Sequence, residues 1–196
     1  MTAQRRKNQI AREEILDLGD YERSRDSIRA SAIVAREVRR VLLGPNATLS
    51  FESRETVRYQ ILEMLRAERI AKDDDVQHEI ETYSDLLPSS DELSATLMFE
   101  FPDESARSVH LRDLVGFEDH LRIEFDGAGA SKAYFDRRQI DSDRISAVQF
   151  VRFPISDAQR KALRRGARVI ADHQRYSCTV ELPQPTRDAL IADIDG

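Results

Sequence analysis

The hydrophobic period of this chain changes once, at Pro88-Ser89-Ser90, and that change constrains the fold more than any other feature. Before it, apolar residues recur every three or four positions; after it, they alternate. Helices gathered in one half and strands joined by short turns in the other give an α+β fold with an antiparallel sheet, rather than alternating βαβ units. The expectation is a helical N-terminal half, carrying a helical hairpin, packed on a largely antiparallel C-terminal sheet. At 196 residues, one α+β domain spanning 1–196 is expected, mainly helical over 20–88 and mainly strand over 92–196. Residues 1–12 are polar and basic with little periodicity and are expected to be a flexible end.

In the helical half, Ile28, Ser31, Ala35 and Val38 recur at helical spacing from Asp20 onward. This apolar face is built of small side chains, so the helix must pack closely against a neighbour. A Leu43-Gly44-Pro45-Asn46 turn separates VLL from ATLSFE, which reads as a hairpin or a linking strand. Ser53 is placed to cap a helix over 54–71 in which Val57, Ile61, Met64 and Leu65 fall on one arc. A Lys72-Asp73-Asp74-Asp75 turn leads to a second helix over 75–87, striped by Val76, Ile80, Tyr83 and Leu87.

Beyond the change of period, ELSATLMFEF reads as a strand, SVHLRDLVG as a short strand or a turn of helix, and HLRIEF with SKAYFD as a hairpin around Gly127-Ala128-Gly129. ISAVQFVRF is a strand ended by Pro154, and DAQRKALRR is a helix stopped by Gly166. RVIAD and YSCTVEL are two further strands, and a closing helix runs over 185–194.

The formal net charge is −6, from 30 basic and 36 acidic residues whose signs alternate locally, which gives no reason to expect a nucleic-acid partner. No apolar run approaches the roughly 20 residues of a membrane span, and no secretory signal opens the chain, so no membrane association and a cytoplasmic location are expected. The single cysteine, Cys178, shares a strand face with Tyr176, Val180 and Leu182 and is expected to be a small core side chain. No phosphate loop, dinucleotide fingerprint, GxSxG elbow or HExxH pair is present, and the four histidines, His78, His110, His120 and His173, could meet only through the fold.

The candidate site lies on the helical hairpin, where charged residues interrupt the apolar arc. Arg54 and Glu68 fall within the arc, Gln60 borders it, Glu79 flanks the second helix, and Glu63 lies close by; His78 faces away. Three readings stand. Glu68 and Glu79 pair with arginines, Arg54 first, then Arg36 or Arg39. Alternatively, Arg54, Gln60, Glu63, Glu68 and Glu79 line a pocket for a small ligand or a partner's side chain. In the third, Glu68 and Glu79 on facing helices hold iron or manganese in a carboxylate-dependent metalloenzyme, although the Glu-x-x-His spacing of ferritin-like sites is absent. No cofactor is expected outside that alternative.

The stretches FESRETVRYQILEMLRAERI and EIETYSDLLPSSDELSATLMFEF carry Phe51, Glu52, Arg54 and Thr56; Gln60, Ile61, Glu63 and Met64; Tyr83, Leu86 and Pro88; and the Leu-Ser-Ala-Thr-Leu run at 93–97. In these the chain resembles an uncharacterised bacterial family, a domain of unknown function, over nearly its whole length. The resemblance implies an accessory or binding role beside rubrerythrin-like or iron-sulfur oxidoreductase proteins, in oxidative-stress or electron-transfer chemistry. It implies no mechanism.

Overall fold

The computed structural model describes residues 9–136 and 143–195. The helical hairpin begins where the capping residue placed it: the Ser53 hydroxyl accepts the Thr56 amide at 3.2 Å, and the Thr56 hydroxyl accepts the Ser53 amide at 2.9 Å. Helix α1 spans Leu18–Val38, α2 Arg54–Glu68 and α3 Asp73–Ser84. Arg69 closes α2 in the left-handed conformation, φ 55°, and the chain turns back through Lys72 into α3. The expected stripes face inward except at Met64, which is half-buried and outside the core, its place taken by Leu62: Val57, Ile61, Leu62, Leu65, Val76, Ile80 and Leu87 are buried in one helical core, with Tyr83 packed at its edge.

That core also takes Ile10 and Ile15, 1% and 3% exposed, and the Ile10 amide donates to the Ser84 hydroxyl at 3.1 Å. The end expected to be loose over 1–12 is therefore anchored from Ile10 onward; residues 1–8 of that stretch lie outside the described residues. Ile10 was illegible because an isolated apolar residue has no period, yet it is buried in the helical core.

Nine strands follow among the described residues: β1 Arg40–Leu42, β2 Ala47–Phe51, β3 Glu92–Phe99, β4 Leu121–Phe125, β5 Gly129–Lys132, β6 Tyr134–Phe135, β7 Val148–Pro154, β8 Ala167–His173 and β9 Tyr176–Glu181. They form two antiparallel sheets, a first in the order β1-β2-β3-β7-β6 and a second in the order β5-β4-β8-β9. The α+β class holds, with the C-terminal sheet resolved into two and the first extended by the N-terminal β1–β2 hairpin. At Gly44 in that hairpin φ is +73° and a Cβ would lie 3.1 Å from the Tyr176 hydroxyl oxygen, so glycine is required twice over.

The remaining helices are α4 Glu104–Asp113, α5 Asp157–Leu163 and α6 Gln184–Asp195. SVHLRDLVG, left open between strand and helix, belongs largely to α4. SKAYFD divides at Ala133: Ser131 and Lys132 pair with β4 in the second sheet, while Tyr134 and Phe135 pair with β7 in the first. One apolar cluster joins the sheets, with Leu49, Phe51, Leu97 and Phe153 from the first, Ile123, Phe125 and Val169 from the second, and Leu190 and Ile194 of α6. Cys178 packs against this cluster with Tyr176 and Val180, as alternation required, and burial pushes its thiol pKa up. No helix among the described residues is long and apolar enough to cross a membrane.

The helical part is fastened to the sheets by a paired charge. Arg39, just past α1, meets Asp193 of α6 through two hydrogen bonds of 2.7 and 2.8 Å, with both side chains 12% exposed. The Thr186 hydroxyl adds a bond to the Val38 carbonyl at 2.8 Å. Removing one member of a buried pair strands the other, so Arg39→Met should lower the unfolding free energy by about 3 kcal/mol in urea titrations, and Arg39→Met with Asp193→Leu should recover part of the loss.

Candidate functional site

Alternation along β2 and β3 splits their side chains between two neighbours. Leu49, Phe51, Leu93, Ala95 and Leu97 enter the apolar cluster, whereas Ser50, Glu52, Ser94 and Thr96 take the other face, toward the helical hairpin. Register sets Thr96 opposite Phe150, and Ser94 opposite Arg152, which in turn faces Tyr134. A cleft of about 750 Å³ opens between this polar face and the hairpin. The hairpin side supplies Gln60, Thr82, Tyr83 and Asp85; the sheet side supplies Glu52, Ser94, Phe150, Arg152 and Tyr134.

Glu52 is the unusual member. It is 8% exposed, yet its carboxylate is met by hydroxyls alone: Oε2 accepts from Thr56 Oγ1 at 2.7 Å and Oε1 from Thr96 Oγ1 at 2.7 Å. Among the described residues no lysine, arginine or histidine forms an ion pair with it. The N-terminus of α2, one residue on, contributes its favourable dipole. On the same sheet wall, Arg152 donates to Glu92 Oε1 at 2.6 Å and to the Asp85 carbonyl. The Ser94 hydroxyl donates to the Leu86 carbonyl, joining β3 to the end of the hairpin.

The hairpin residues singled out by sequence separate into three places. Gln60 and Tyr83 both line the cleft, and the Tyr83 phenol pKa is raised, first by burial and then by the Glu79 and Glu68 carboxylates. Glu79 and Glu68 thus act on Tyr83 through their charge without lining the cleft, Glu68 exposed and Glu79 half-buried. Glu63 is elsewhere: it accepts Tyr21 Oη at 2.5 Å and Arg25 Nε and Nη2 at 2.7 and 2.9 Å, tying α2 to α1. Arg54 is exposed at the first turn of α2, where it binds the Glu14 carboxylate and the Gln9 carbonyl.

The expected Arg54–Glu68 pair does not form. The two residues begin and end α2, roughly 21 Å apart along its axis. Arg39 is committed to Asp193. Among the described residues no group of three or more His, Cys, Asp and Glu side chains is placed to hold a metal, so a site bridged by Glu68 and Glu79 has no third such ligand there. The fold does bring two of the histidines together: His120 Nδ1 lies 2.9 Å from Asp172 Oδ1, and its ring meets His173 edge-on at 5.3 Å. Arg122 first, then His120, holds the Asp172 carboxyl below its usual range, and buried His173 accepts the Arg175 amide at 3.3 Å. This is a network internal to the end of the second sheet.

A helical wheel does not reach Glu52, which lies two residues before the first helical position, Arg54. The available signal was the every-other-residue run Thr48, Ser50, Glu52, which continues the face of β2 and carries a charge where the buried strand ends.

The Glu63 tie sets an acid limit on stability. The Arg25 hydrogen bonds, more than the Tyr21 bond, hold its pKa at about 2, below the ordinary carboxyl value of 4.5. A lowered carboxyl pKa adds stability that is complete above the ordinary value and is lost as pH falls from about 4.5 toward 2. Glu63→Gln should therefore cost about 1–3 kcal/mol at pH 7 and flatten the stability profile between pH 5 and 2, read by denaturant titration at each pH.

Residues 9–194 match the family model described as a protein of unknown function, DUF3501. The crystal structure of a novel protein of unknown function from Burkholderia pseudomallei K96243 is 31% identical, covers 95% of this chain and 100% of its own, and superposes with a TM-score of 0.89. No curated protein matches the chain. The match over nearly all of the described chain places it plainly: it belongs to the DUF3501 family.

Proposed function

We propose that this protein is a soluble binding or accessory protein that holds a small molecule in the cleft between the helical hairpin and the first sheet. The observation that carries the reading is Glu52, a carboxylate nine-tenths buried at the wall of a cleft of about 750 Å³ and met by hydroxyls alone. A carboxylate has about four acceptor positions, so one that is buried at a cleft wall and held by two hydroxyls leaves positions open to a ligand. The cleft is the size of small-molecule sites and combines aromatic walls with a few convergent polar groups. Gln60 belongs to the wall of this site, Glu68 and Glu79 stand outside its lining and act on it only through their charge near Tyr83, and Arg54 and Glu63 act in packing the helices.

The support for a redox partner of the rubrerythrin-like or iron-sulfur type is the family resemblance alone, and the protein partner stands as a separate proposal tested by affinity capture.

Thr82 is exposed at the cleft mouth, so Thr82→Trp should block the cleft and leave the fold intact. In a thermal-shift screen of low-mass cell metabolites, at least one compound should raise the wild-type Tm by about 5 °C at a hundredfold excess over Kd and leave Thr82→Trp unmoved. A full metabolite extract that shifts neither protein, or shifts both equally, would overturn the reading.

A further inference from the structure

Resting on the cleft as a ligand site, we infer that its ligand is an organic cation bearing N–H donors, a primary ammonium or a guanidinium, received by Glu52. A carboxylate offers about four acceptor positions. Two are used in Glu52, and one of these only partly, because the single Thr56 hydroxyl proton is shared between Glu52 Oε2 at 2.7 Å and the Ser53 carbonyl at 3.1 Å. The remaining lone pairs sit on a side chain 8% exposed, at the cleft wall. An N–H cation fills those positions and cancels the buried charge, and charge-assisted hydrogen bonds of this kind are the strong ones.

The other walls agree. Tyr83 and Phe150 present aromatic surface, which attracts cations to the ring face. The one basic lining side chain among the described residues, Arg152, is already bonded to Glu92 and the Asp85 carbonyl, so it does not turn the cleft toward anions. An anionic ligand would meet Glu52 as a like charge. A hard divalent ion would find one buried carboxylate and hydroxyls, because no three metal-ligating side chains gather among the described residues. A quaternary ammonium has the charge but donates nothing to the open lone pairs.

Isothermal titration calorimetry on the full chain, with putrescine, agmatine and spermidine as probes, tests this. Tetramethylammonium, 1,4-butanediol and succinate are the controls. At least one N–H cation should bind with Kd below about 1 mM. Its affinity should fall tenfold or more in Glu52→Gln and disappear in Thr82→Trp, while the controls bind at least tenfold more weakly than the best N–H probe. Glu52→Gln should keep a Tm equal to or above wild type without ligand, since it removes a buried charge and retains acceptor and donor atoms for the threonines. A purely structural Glu52 would change Tm in that variant without changing affinity, and that outcome overturns the inference. If only succinate or butanediol binds, and Thr82→Trp abolishes it, the inference falls while the cleft reading stands. Should none of the six bind, the inference falls, and the metabolite screen alone then decides the cleft.

Discussion

A sheet with both faces covered must offer each neighbour a suitable surface, and the first sheet of this protein meets that demand by alternation. Odd-numbered positions of β2 and β3 supply the apolar cluster shared with the second sheet, and even-numbered ones supply Ser50, Glu52, Ser94 and Thr96 to the hairpin side. The molecule consequently has two hydrophobic clusters, one between the sheets and one among the helices, with a polar seam between them. A cleft forms along such a seam because hydroxyls and a carboxylate, unlike apolar side chains, are not driven to close against the opposing surface.

The seam needs fasteners that do not depend on apolar contact. Arg39 and Asp193 provide one, well buried and bidentate. The Glu52–Thr56–Thr96 cluster is a second, joining the start of α2 to the middle of β3. Arg152 with the Asp85 carbonyl and Ser94 with the Leu86 carbonyl form a third at the far end of the hairpin. Each is a hydrogen bond or ion pair that fixes geometry more sharply than it adds stability, so the cleft is shaped by directional contacts.

Much of this was legible in the sequence where a period ran long enough to be counted. Helices α2 and α3, the Ser53 cap, strand β3 and the Cys178 face follow from local pattern, and the structure has them. Three things were not legible. The division of SKAYFD at Ala133 is a choice between two sheets that pairing partners make, and no local propensity encodes it. Glu68 lies on the apolar arc of the wheel, but it is the last residue of α2, where the left-handed turn at Arg69 ends the cover that a neighbouring helix would give. Arg54 has the same fate at the other end, because the chain returning through Glu14 captures it outside the core. A helical wheel assigns direction without assigning depth. Of the candidate site, Gln60 and Tyr83 were visible on that wheel, whereas Glu52 belongs to a strand end and required the sheet to be seen.

The chain crosses between the helical part and the sheets at Arg39, at Glu52–Ser53 and through the turn from Leu87 to Glu92. The second and third crossings border the cleft, where Glu52 and Leu86 stand on its wall. Whatever occupies that space would touch the covalent joints of the molecule rather than one of its parts.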